Sequence, residues 1–217
     1  MKILVTGFEP FGGEAVNPSW LAVSQIPDQV KGAEVIKKQL PVEWFRALDI
    51  LEGYIKEYRP DVVMLAGQAG GADAMRIERV GINLCEASIP DNAGRSLMGE
   101  PIYYGAPAAY FSTFPYRVMY DAVKASGIPV RHSFSAGAYL CNHVLYGALH
   151  MAALRYPGMK AGFIHVPFLP EQVVGKKEGT PSMPLEDIAK AMCIFTEVIA
   201  SEGNGMPVES DEVTGVC

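Results

Sequence analysis

Short apolar runs separated by amphipathic stretches dominate the chain. Lys2 to Thr6, Ala33 to Leu40 and Asp61 to Ala66 have strand length, and DVVMLA in the third is the continuous apolar run expected of a sheet covered on both faces. Between them, Asn17-Pro18 supplies an N-cap followed by proline at the first helical position, opening a helix through about Ile26. Val42 to Tyr58 has helical spacing and stops at Arg59-Pro60. Further on, Arg76 to Asn83 alternates as a strand, Tyr116 to Ser126 reads as a helix, Ile128 to Phe134 and Lys160 to Val166 as strands, and Glu186 to Ser201 as an amphipathic helix. Tyr103 to Tyr116, rich in aromatics, proline and small residues, fits no regular element and reads as a surface excursion or subunit contact. The alternation predicts an α/β fold: a single-domain three-layer α/β/α arrangement with a mostly parallel twisted central sheet over residues 1–202, followed by a disordered Gly/Ser/acidic tail over 203–217.

Composition narrows the function. At 217 residues, 49% hydrophobic and 19% charged, the chain can bury one sizeable core. A net charge of −6 without a basic run argues against nucleic acid as a partner. Cys85, Cys141, Cys193 and Cys217 are widely spaced with no C-x-x-C pair, so neither a disulfide framework nor a metal site is expected, and no cofactor is called for. No apolar run approaches the roughly 20 residues needed to cross a bilayer, and MKILVTGF reads as a strand entering a glycine turn. The expectation is a cytoplasmic protein with no membrane partner.

One cysteine stands out. In SFSAGAYLCNHVLYGALH, small residues precede Cys141, and Val144, Leu145, Ala148, Leu149 and Ala152 recur at helical spacing, which places Cys141 in the first turn of a helix. Unpaired N–H groups and the positive end of the helix dipole there favour a thiolate. The competing reading is a small buried thiol. A thiol nucleophile needs a base: His143 would point away on the same helix and His150 lies more than two turns on, which leaves His132 and His165. His165, at the C-terminal end of a strand, is the better placed. Glu78 is a candidate to orient the imidazole, although it shares a predicted strand face with Val80 and Ile82 and has Arg76 and Arg79 as possible ion-pair partners. Phe8 and Phe11, in the loop leaving the first strand, either wall a small pocket or fold onto the core. Gln68, in a second glycine-rich loop, is a hydrogen-bonding group for a ligand amide or a surface glutamine. Gly12-Gly13 lacks the full G-x-G-x-x-G spacing of a dinucleotide loop.

The motifs GFEPFGG with Asn17-Pro18, GQAGG with ERVGIN and IPDN, and SAGAYLCN with GFIHVPFLP together resemble the pyrrolidone-carboxylate peptidase family, the type I pyroglutamyl peptidases, from Leu4 to Pro170. The resemblance implies a Cys–His–Glu triad of Cys141, His165 and Glu78. It also implies a pyroglutamyl ring flanked by Phe8 and Phe11 with Asn17 and Gln68 lining the site, pyroglutamyl peptides as substrates, and a homotetramer. Arg76, Gly81 and Ser88 depart from the family pattern; at Ser88 the resemblance implies an arginine that helps stabilise the oxyanion. A nucleoside phosphorylase or hydrolase on a similar scaffold, or a pyroglutamyl-peptide binding protein with impaired turnover, are the competing functions.

Overall fold

The computed structural model describes residues 1–203. The expected 203–217 tail lies outside them, apart from Gly203. In chain order the elements are β1 (Lys2–Phe8), α1 (Pro18–Ser24), β2 (Gln29–Val30), β3 (Ala33–Leu40), α2 (Arg46–Tyr58), β4 (Val62–Gln68), β5 (Met75–Glu78), β6 (Val80–Ile82), β7 (Cys85–Glu86), β8 (Met98–Glu100), β9 (Ala109–Phe111), α3 (Tyr116–Ala125), β10 (Val130–Ser133), α4 (Leu140–Leu154), β11 (Lys160–Val166) and α5 (Leu185–Gly203). Seven strands form the central sheet in the order β10-β5-β11-β4-β1-β3-β2. Four of its pairings are parallel, and β11–β5 and β2–β3 are antiparallel.

Alternation along the central strands divides the apolar runs between two cores. Ile3 and Val5 of β1, Met64 and Ala66 of β4, and Ile164 and Val166 of β11 pack with α1, α3 and α5 on one face. Leu4, Val63, Leu65, Ala161 and Phe163 pack with α2 and α4 on the other. This is why these strands carry no polar face, and it gives the three layers expected from the pattern.

Two predicted elements differ. The helix expected from Val42 begins only at Arg46, because Val42 to Phe45 form an irregular link in which Phe45 has φ +62° and the Val42 backbone is bonded to two other loops. The strand expected over Arg76 to Asn83 breaks at Arg79: β5 belongs to the central sheet, whereas β6 pairs with β9 in a separate ribbon. Glu78 therefore does not share a face with Val80 and Ile82. The ribbon also puts a short strand, β9, inside the stretch that looked irregular.

Candidate active site

Phe8 ends β1, and the loop that follows is shaped by two glycines. Gly12 and Gly13 have φ of +62° and +82°, and the Glu14 N–H closes the turn on the Phe11 carbonyl at 3.1 Å. Left-handed backbone at both central positions is what glycine allows without strain. The glycine pair thus belongs to the turn that presents Phe11.

Asn17 caps α1: its Oδ1 accepts from the Ser19 N–H at 3.1 Å and the Ser19 hydroxyl at 2.8 Å, while its Nδ2 donates to the Glu9 carbonyl at 2.9 Å. The Glu9 carboxylate in turn accepts from the Val42 N–H at 3.0 Å and Asn92 Nδ2 at 2.9 Å. Three loops are fastened together in this way. The loops after β1 and β3 help wall a hollow of about 230 Å³, open mouth included, lined by Phe8, Phe11, Asn17 and Gln68 with Val42, Tyr139, Leu140 and Cys141. Phe8 is buried and also packs in the core beneath, so both readings of that ring hold at once.

Cys141 is the second residue of α4 and half-buried. Gly137, with φ +76°, turns the chain into the helix. The Asn142 side chain, fully buried, accepts from the Ile82 N–H at 2.9 Å and donates to the carbonyls of Ile82 and Leu84 at 2.8 and 3.0 Å, which ties the helix start to β6. Tyr139, the N-cap residue, makes no side-chain cap, and the N–H groups of Leu140, Cys141 and Asn142 have no protein acceptor among the described residues. The sulfur rests on the end of β4, where a Cβ added to Gly67 would come within 2.8 Å of Cys141 Sγ. The next loop glycine, Gly70, makes room for Phe168, whose Cζ would lie 2.8 Å from a Cβ there. Gly67 at the end of β4 and Gly70 in the loop after it thus leave space for a thiol and an aromatic ring.

His165 Nδ1 bonds Glu78 Oε1 at 2.7 Å, with both side chains buried. The reach follows from the antiparallel pairing of β5 with β11. Glu78 sits opposite Phe163, so it shares a face with Phe163 and, diagonally, with His165. Its carboxylate is delivered across the ladder rather than from a common strand edge, and its ring partner is His165 rather than Arg76 or Arg79. With Nδ1 so engaged, Nε2 is the nitrogen left for other partners. Burial alone would depress the His165 pKa; the charge and hydrogen bonding of the Cys141 sulfur, then the Glu78 carboxylate, outweigh it and hold the imidazole up at about 9.

The other histidines contrast with it. His143 is sealed between the rings of Trp44 and Phe45, 5.5 and 5.4 Å away, and burial drives its pKa down to about 4. His150 meets Tyr110 and Tyr103, and His132 is packed by Tyr116 and Tyr120; burial lowers both pKa values.

Cys141, His165 and Glu78 are therefore gathered beside the hollow that Phe8, Phe11, Asn17 and Gln68 line. Three larger hollows lie elsewhere among the described residues: two, of about 790 and 740 Å³, open around Asp61 and Gly158 where β4 and β11 begin, and one of about 420 Å³ lies between β9 and α4; none is lined by a cysteine or histidine. Ser88 is exposed, the Arg79 guanidinium lies 3.2 Å over the Tyr116 ring, and that of Arg95 lies 5.9 Å over Phe45. None of the three lines the hollow, which leaves the helix-start N–H groups as the donors near the sulfur. Sequence reasoning missed Gly67, Glu9, Asn142 and Gln172. The last, in the 3-10 turn Pro170–Val173, donates to Gln68 Oε1 at 2.9 Å. Among the described residues, no three His, Cys, Asp or Glu side chains group as a metal-holding set.

Comparison with known proteins points the same way. A family model described as pyroglutamyl peptidase matches residues 1–202. Pyrrolidone-carboxylate peptidase of Thermococcus onnurineus is 49% identical over 88% of this chain and 94% of its own length, and that of Treponema denticola 43% identical over 98% and 100%. The crystal structure of Bacillus amyloliquefaciens pyroglutamyl peptidase I superposes with a TM-score of 0.88 at 40% identity, covering 92% of this chain and 97% of that one. A variant of Pyrococcus furiosus pyrrolidone carboxyl peptidase gives 0.89 at 42% identity, covering 93% and 99%. With matching motifs, fold and near full-length similarity, the chain belongs to the pyroglutamyl peptidase family.

Proposed function

We propose that the protein is a cysteine exopeptidase that removes N-terminal pyroglutamate (5-oxoproline) from peptides. The observation that carries this reading is the buried 2.7 Å bond from Glu78 to His165, on the imidazole that faces Cys141 at the rim of the aromatic hollow. Pyroglutamate has no charged α-amine, so its ring enters an apolar slot between Phe8 and Phe11 without the cost of burying an ammonium. His165 takes the Cys141 proton, and Glu78 fixes the tautomer and orientation of the ring. The thiolate attacks the carbonyl carbon joining pyroglutamate to the next residue. Charge developing on its oxygen meets N–H groups at the start of α4, at about 3 kcal/mol per donor. As the C–N bond breaks, His165 returns the proton to the leaving amine; it then deprotonates a water that hydrolyses the thioester and frees Cys141.

The test is hydrolysis of a pyroglutamyl amide by wild type and Cys141→Ala in parallel. Release of amine by the first and not the second is expected; equal rates would end the assignment.

We propose further that the protein acts in the cytoplasm as a homotetramer, as the family resemblance implies. No helix of the described residues is long and apolar enough to cross a membrane. Tyr104, Phe111 and Leu154 are 87, 72 and 66% exposed, apolar surface that an interface between subunits would cover. Light scattering after size exclusion tests the assembly, and a monomer at micromolar concentration would contradict it.

A further inference from the structure

Which way the Gln68 amide faces can be settled from a backbone group that cannot be reversed. The Leu169 N–H lies 3.0 Å from one terminal atom of Gln172, and an N–H only donates, so that atom is the amide oxygen. The NH2 of Gln172 then faces away towards acceptors only, Gln68 Oε1 at 2.9 Å, Glu14 Oε2 at 3.1 Å and, at the limit of bonding distance, the Val16 carbonyl at 3.5 Å; an NH2 of Gln68 in place of its oxygen would set donor against donor at 2.9 Å. Glu14 does not compete as a donor. Lys176 bonds its other oxygen at 2.7 Å, and that bond holds the carboxyl below its usual range. Gln172 and Gln68 are only 7 and 8% exposed, so bulk water does not stand in for the bond between them. Gln68 must therefore turn its oxygen to Gln172 and leave Nε2 for the hollow it lines. That nitrogen has no protein acceptor among the described residues and is not sealed from solvent.

We propose that Gln172, which does not itself line the hollow, is a positioning residue that fixes Gln68 as a hydrogen-bond donor to the ring carbonyl of the substrate. The inference rests on the proposed pyroglutamyl specificity and sharpens it. A ring with a carbonyl beside its nitrogen accepts from Gln68, whereas a ring with CH2 there leaves a nearly buried N–H2 group unpaired. A ring that presents a donor at that position, such as the cyclic amidine in which C=NH2⁺ replaces C=O, meets like with like.

The test is Gln172→Glu, alone and with Glu14→Gln, which restores the local charge and a donor at that site. The introduced carboxylate still accepts from the Leu169 N–H, but it now offers Gln68 an acceptor. Gln68 reverses and presents its oxygen to the hollow. The expected result is a KM for a pyroglutamyl amide raised about 10-fold or more with little change in kcat. Inhibition by the cyclic amidine should strengthen over wild type in the same variants. General damage to the site would not invert the preference in this way. An unchanged KM in a folded variant, or equal weakening of both ligands, would overturn the proposal. Occupancy is also read as protection of Cys141 from alkylation, so a wild type that binds the lactam without turnover would count against the proposed peptidase activity and leave the polarity test intact.

Discussion

Replacing Gly67 with alanine is the smallest change that addresses the proposed nucleophile, Cys141, without touching it. The backbone there has no positive φ to forbid a side chain, but the added Cβ would fall 2.8 Å from Cys141 Sγ and 2.7 Å from Phe163 Cζ. Non-bonded carbon contacts are comfortable near ~3.5–4.0 Å, so each neighbour has to move by about 1 Å. Phe163 is fully buried, and overfilling a packed core commonly costs about 1–3 kcal/mol, which a lowered melting temperature would report. The sulfur has the open hollow beside it and gives way more easily. A displacement of about 1 Å of a reacting group can cost about 10²-fold in rate. The assay is kcat/KM on a pyroglutamyl amide, with the rate of Cys141 alkylation as a reading that needs no turnover. Gly53→Ala is the control: it lies in α2, its added Cβ meets nothing within 4 Å, and it should leave activity alone while stabilising by about 0.5–1 kcal/mol. Gly67→Ala at wild-type kcat/KM would refute the placement of the sulfur.

Other expectations follow from the same geometry. Glu78→Gln keeps the shape of the buried side chain but loses its charge, and kcat should fall by up to about 10⁴-fold in a folded protein; activity within a few-fold of wild type would show that His165 does not need this partner. Against the effect of burial, the Cys141 sulfur is the strongest of the influences that raise the His165 pKa, so Cys141→Ala should lower the pKa of that ring, read from its NMR titration; an unchanged titration would contradict the contact. Phe8→Ala should cost about 3–5 kcal/mol because the ring also fills the core, whereas Phe11→Ala should chiefly raise KM; unchanged turnover in both would mean that the slot lies elsewhere.

The residues whose chemistry is visible in their type were legible from sequence. Cys141 among small residues before an apolar helix, a histidine at a strand end and aromatics in a glycine loop all announce themselves, and DVVMLA reads as β4 because both of its faces are covered. What escaped depends on pairing across the chain. The alternation around Glu78 continues past Arg79, so nothing local marks where the chain leaves the central sheet, even though the sequence does suggest Glu78 as the partner of His165, 87 residues away. Val42 to Phe45 continues a helical pattern but is held out of the helix by bonds to Glu9, Asn92 and Asp91, none of them near in sequence. Gln172 carries no signal of its own, because its role exists only where the turn after β11 meets the end of β4.

The most direct test of the Cys–His–Glu chemistry is to mix the protein with a pyroglutamyl ester in rapid-quench mode at low pH and map any acyl adduct by mass spectrometry. A pyroglutamyl thioester on the peptide that contains Cys141, absent in Cys141→Ala and depleted in His165→Ala, is the expected result. An adduct on another residue, or full turnover by Cys141→Ala, would contradict it.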